Sequence, residues 1–123
     1  MAGRLELGPA QGQVARWREA AWALEDRARL ALGGGGNQAE LNRSLKGIER
    51  EWLLAEGIPG RPWFKHALYA PKYTYAAMEL PGVREAVDQG DWERARTALG
   101  ALTERIRAVA DAISRAGLEP ATK

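Results

Sequence analysis

The stretch Asp91–Gly117, DWERARTALGALTERIRAVADAISRAG, decides the fold. In it Trp92, Ala95, Leu99, Leu102, Ile106, Val109 and Ile113 step alternately by three and four residues. That spacing keeps them on one face of an α-helix and makes an unbroken apolar seam. Asp91 is a good N-cap, because its side chain can accept from the first-turn amides. Gly117, Leu118 and Pro120 read as a helix stop. In water such a seam needs other apolar faces to cover it.

The rest of the chain supplies them. Val14, Trp17, Ala21, Leu24 and Ala28 recur at helical spacing and predict a helix over Pro9–Leu32. Pro9 suits its first turn and Gly33 its end. Gly33-Gly34-Gly35-Gly36 reads as a turn. A second helix is expected over Gln38–Ala55, with Leu41, Leu45, Ile48 and Trp52 as its stripe. Asn37 and Glu40 form a candidate capping box, and Gly57 a stop. Pro81–Gln89 reads as a short helix ended by Gly90. Trp63–Tyr69 is the nearest candidate strand, but it is flanked by proline and has no visible partner. The expected fold is all-α: an antiparallel bundle of three long helices and a short one, with a long structured loop.

At 123 residues the chain is expected to be a single domain with one modest core. Charged residues make up 28% and apolar ones 46%, which are globular proportions. A net charge of +2, without a basic stripe interleaved with aromatics, argues against nucleic-acid binding. No apolar run is long enough to cross a membrane. The N-terminus lacks the apolar run of a signal peptide, so no compartment is indicated. Absence of cysteine removes disulfides, zinc-thiolate sites and thiol nucleophiles. His66 is the sole histidine, too few for a His-rich metal site within one chain. Ser44 and Ser114 have no histidine at helical spacing. Glu49-Arg50-Glu51 reads as a solvated ion-pair face. The glycine run lacks the Lys-Ser/Thr of a phosphate loop.

Two apolar features exceed what three helices readily bury. Trp22 lies about 140° around the first helix from Trp17, at 100° per residue. Either it packs under the loop, or it is an exposed indole used in association. On the last helix Ala98, Ala101, Ala108 and Ala112 share a face beside the seam. They reflect alanine's helix preference, or they are a docking face for another helix. A chain of this size buries only about two-thirds of its surface, so a second apolar face favours a two-fold dimer.

The stretch Gly57–Gly82, GIPGRPWFKHALYAPKYTYAAMELPG, is long for an unstructured connection and too aromatic for a solvated linker. Its four prolines restrict it. It is therefore expected to be packed. His66 is expected to make a structural hydrogen bond within it, while the tyrosine hydroxyls and Lys72 could offer donors to an anionic ligand.

Here a resemblance becomes visible. Leu41-Asn42-Arg43 through Glu49-Arg50, Gly60-Arg61-Pro62-Trp63-Phe64-Lys65-His66, Tyr69-Ala70-Pro71 and Leu80-Pro81-Gly82-Val83-Arg84-Glu85-Ala86 resemble the transferrin receptor-like dimerisation domain. That domain ends zinc peptidases of the glutamate carboxypeptidase II type and the transferrin receptor. The resemblance spans roughly Pro9 to Arg115. It implies a helical homodimerisation domain, with residues 1–123 as the C-terminal fragment of a larger peptidase-like protein. It implies no catalytic residue, metal or cofactor in this chain, since zinc belongs to the separate peptidase domain. The implied partners are a second copy and that peptidase domain, with no nucleic acid or membrane.

In family carboxypeptidases the segment after Tyr-Ala-Pro reaches the active site, where a Lys-Tyr pair meets the substrate's terminal carboxylate. Counting back from Leu80-Pro81-Gly82 puts Tyr75 at the family's tyrosine and Thr74 at its lysine. The dipeptide Lys72-Tyr73 stands two residues earlier. The implied pocket-loop residues are thus Lys72, Tyr73 and Tyr75, and the interface candidates are Trp22, Ala98, Ala101, Ala108 and Ala112. The alternative is a self-contained helical protein that holds acidic peptides with Lys72, Tyr73 and Tyr75.

Overall fold

The structure is a computed structural model that describes residues 5–35, 38–58, 61–71 and 77–116. Helix α1 spans Gly8–Leu30 and runs into a wide turn, Ala31–Gly35, in which Gly34 takes φ 88°. That left-handed conformation breaks the helical path, and glycine adopts it without a Cβ clash. Helix α2 spans Gln38–Ile48 and tightens into a 3-10 turn, Glu49–Trp52. Strands β1 (Tyr69–Pro71) and β2 (Ala77–Glu79) pair antiparallel, with Ala70 opposite Met78. Helix α3 is Pro81–Asp88 and helix α4 is Trp92–Arg115.

The all-α bundle forms, and the α4 seam is buried as its periodicity requires, whereas Ala21 of the α1 stripe and Leu45 of the α2 stripe stand exposed. Ala95, Leu99, Leu102, Ile106, Val109 and Ile113 are all buried. All but Ala95 share one core cluster with Leu24 of α1, against which the partly buried Val14, Trp17, Ala20 and Ala28 pack. Asp91 caps α4 by accepting from the Arg94 amide at 3.1 Å. At the other end the Arg27 guanidinium donates from Nε to the Ala116 carbonyl and from Nη2 to the Ile113 carbonyl, each at 2.9 Å. These take up carbonyls that a helix end leaves unpaired, and a cation is favoured there. Gly90, at φ 72°, lets the Asp91 amide reach the Ala86 carbonyl at 2.9 Å, which joins α3 to α4 in three residues.

Some expectations change. The α1–α4 pair runs in the same direction: Pro9 shares a groove with Arg96 and Gly100, while Arg27, further along α1, reaches Ile113 and Ala116. The intervening chain is long enough to return to the starting end, so an up-and-down order is not imposed. Helix α2 ends at Ile48 rather than Ala55, because the 3-10 turn swings Trp52 into the core, where it is 5% exposed. The strand that forms is Tyr69–Pro71, which shares only Tyr69 with the candidate Trp63–Tyr69, and its three-residue ladder is too short to show an alternating pattern. Asn37 and Gly117, read as helix signals, lie outside the described residues.

Trp52 joins three parts of the molecule. Its ring meets Trp17 of α1 edge-on, with centroids 5.1 Å apart, and stacks on His66 of the loop at 6.5 Å. Edge-to-face and offset-stacked pairs suit the aromatic quadrupole. Its carbonyl accepts from the Ala67 amide at 2.8 Å.

Two measurements test this account. Trp52→Ala is expected to cost about 3–5 kcal/mol in urea unfolding, the usual loss for a buried large aromatic. The second concerns Asp111, whose carboxyl is held below its ordinary value of 3.8, first by the hydrogen bond from Arg16. A depressed folded-state value means that the contribution is full above 3.8 and is lost as pH falls through the lower, folded value. Asp111→Asn should therefore cost under about 1 kcal/mol at neutral pH, the pair being partly exposed. The difference from the parent should close in strong acid.

Candidate functional site

The loop between Trp52 and α3 is built as a knot. Gly57 takes φ 76°, and a Cβ there would stand 2.2 Å from the Pro62 carbonyl oxygen. Only glycine allows that approach. The Ile58 amide donates to the Phe64 carbonyl at 2.9 Å and the Leu54 amide to the Lys65 carbonyl at 2.7 Å. Lys65 Nζ donates to the Ala55 carbonyl at 2.9 Å.

Arg61 ties the knot to α3. Its guanidinium pairs with the Glu85 carboxylate and lies 5.0 Å from the centre of the Phe64 ring. The two charged side chains are 21% and 19% exposed, so each screens the other from an unpaired, partly desolvated state. Sequence reading missed this pair. The partners are 24 residues apart and share no helical spacing.

His66 bonds both within the loop and beyond it. Its Nδ1 accepts from the Leu68 amide at 3.2 Å, which places the ring proton on Nε2. Nε2 then donates to Glu49 Oε1 at 2.8 Å. Glu51 is occupied too, for its carbonyl accepts from Arg105 at 3.0 Å. The Glu49-Arg50-Glu51 run is thus partly a docking edge for the loop and α4, not only a solvated face.

The ladder of β1 and β2 sets Pro71 opposite Ala77. The pocket-loop candidates Lys72, Tyr73 and Tyr75 belong to the connection between these strands and lie outside the described residues. Leu80 follows with φ 48°, the one described non-glycine residue at positive φ. Its amide donates to the Leu68 carbonyl at 2.7 Å. Its exposed side chain borders a cleft of about 290 Å³ between the loop, α3 and α4. Leu54, Val83, Ala98, Ala101 and Leu102 line that cleft.

The interface candidates separate. Trp22 is 61% exposed. Ala98 is buried at 7%, Ala101 is exposed, and Ala108 and Ala112 are half-buried. They do not form one open ridge. Trp63, on the knot, is a further exposed indole at 69%. Among the described residues no three His, Asp or Glu side chains converge to hold a metal ion. No described helix is long and apolar enough to cross a membrane.

The comparisons with known proteins agree with one another. A family model for the transferrin receptor-like dimerisation domain matches residues 5–114. The probable glutamate carboxypeptidase AMP1 of Arabidopsis thaliana is 28% identical over 94% of this chain. The probable glutamate carboxypeptidase LAMP1 of the same plant is 33% identical over 63% of it. An inactive zinc metalloprotease of Schizosaccharomyces pombe, C354.09c, is 32% identical over 61%. The chain spans only 17%, 13% and 9% of these relatives' lengths, in that order. With a match over nearly all of the described helices and the loop, the chain belongs to the transferrin receptor-like dimerisation domain family.

Proposed function

We propose that this chain is a non-catalytic homodimerisation module of a glutamate carboxypeptidase-like zinc peptidase. The family match over residues 5–114 carries the reading. The exposed apolar side chains, Trp22 and Trp63 foremost, supply surface that a second copy or an adjoining peptidase domain would bury. Ala101 and the half-buried Ala108 and Ala112 complete the apolar set on α4, and Ala98 supports it from beneath.

The loop from Gly57 to Gly82 has a second role in this reading. Its knot is tied to α3 through Arg61 and Glu85 and to the 3-10 turn through His66 and Glu49, and Lys72, Tyr73 and Tyr75 follow it in the sequence. These side chains complete the substrate pocket of an adjoining peptidase domain, where cationic and phenolic donors suit a terminal carboxylate. Zinc and the catalytic groups belong to that domain, so its chemistry does not arise from this chain.

Sedimentation equilibrium at micromolar concentration should give a dimer; a monomer up to about 100 μM, far weaker than stable complexes of ordinary interface size, overturns the module reading. Titration with glutamate-terminated peptides should give no measurable binding to this chain by itself. Saturable binding abolished by Lys72→Ala or Tyr75→Phe would support a self-contained acidic-peptide binder instead.

A further inference from the structure

The outward face of α4 carries a charge order that becomes complementary to itself when the helix is reversed. Glu93, Arg96, Gly100, Glu104 and Arg107 are all exposed on it, with Thr97 and Ala101 beside Gly100. At 100° per residue, the four charged positions fall within about 40° of Gly100. At 1.5 Å per residue, Arg96 and Glu104 lie about 6 Å on either side of Gly100, and Glu93 and Arg107 about 10 Å. The order along the helix is negative, positive, small, negative, positive.

We infer that this face of α4 packs antiparallel on the same face of a second copy, across a two-fold axis at Gly100. The inference rests on the dimerisation reading and names the surface that carries it. In that arrangement Arg96 meets the partner's Glu104, and Glu93 meets the partner's Arg107. Every one of these four charges finds an opposite one. A slip of three residues in one direction sets Glu93 against the partner's Glu104. A slip of three in the other sets Arg96 against the partner's Arg107. The pattern thus favours one register and penalises its neighbours. Glu104 and Arg107 already pair within the helix, and the partner's Arg96 would join the same carboxylate.

Two further observations fit a helix as the occupant. Among the described residues, nothing outside the helix's own backbone lies within 4 Å of where a Cβ on Gly100 would stand. A glycine inside a helix weakens it relative to alanine, and among the described residues no contact requires one here. A two-fold axis at Gly100 uses it, because the absence of a side chain lets two helices approach closely. The face is also a ridge between two grooves. The cleft against Leu54 and Leu80 borders Thr97 and Ala101, and a groove against Glu6 and Pro9 borders Arg96 and Gly100. Ridges of a second helix have grooves to enter.

The test uses Arg96→Glu and Glu104→Arg, with folding checked by circular dichroism and association by sedimentation. Each variant alone places like charges together twice per dimer and should associate about tenfold more weakly than the parent. Mixed in equal amounts, the two should regain parental affinity as a heterodimer. In that pair one protomer is acidic at both positions 96 and 104 and the other is basic at both, so opposite charges meet twice. If both variants dimerise like the parent, this face is wrong while dimerisation stands. If Trp22→Ala abolishes the dimer and the charge variants keep it, the outer face of α1 is the interface and the inference fails. If the parent chain is monomeric, the dimerisation reading falls and takes this inference with it.

Discussion

The burial of Trp52 is the constraint on which the rest of the structure depends. An indole at the end of α2 could have continued a regular helix and stayed on its surface stripe. Instead the backbone tightens by a 3-10 turn and delivers the ring between Trp17 and His66. That one placement fixes three relations. It seats α1 through Trp17. It anchors the start of the loop, whose Ala67 amide bonds to the Trp52 carbonyl. It also brings Glu49 and Glu51 to where His66 and Arg105 can use them.

From that anchor the loop behaves as part of the scaffold rather than as a connection. Its backbone is bonded to itself between Ile58 and Phe64, its Arg61 is paired with α3, and its end is bonded at Leu80 to Leu68. Backbone polar groups in a packed loop need such partners, since leaving them unsatisfied is costly. The positive φ of Leu80 fits the same picture. A strained leucine persists only where its surroundings over-determine it. Here it is held between the ladder and the first turn of α3.

The charges divide into two kinds. Arg27, Arg61 and Arg105 spend their donors on the protein's own backbone or on a shielded carboxylate, and so serve the fold. Those on the outer face of α4 stand exposed and alternate in sign along the helix. In the proposed dimer that order would have a physical use, because a two-fold axis turns an alternating charge pattern into a complementary one.

The sequence by itself determined the helices and most of their burial. The three-four spacing of Leu99, Leu102, Ile106, Val109 and Ile113 permits one continuous buried face, and an Asp91 side chain can cap a helix only at its start. The motifs from Leu41 to Ala86 were also enough to point to the family. Tertiary structure alone decided the rest. Whether α1 and α4 run together or opposed depends on the path of the intervening chain, and periodicity is blind to helix direction. Arg61 and Glu85, or Glu49 and His66, meet because separate elements pack side by side, which no local spacing encodes. Likewise Ala98 and Ala101 look equivalent as letters. Their different burial comes from where α3 and the loop happen to cover the helix.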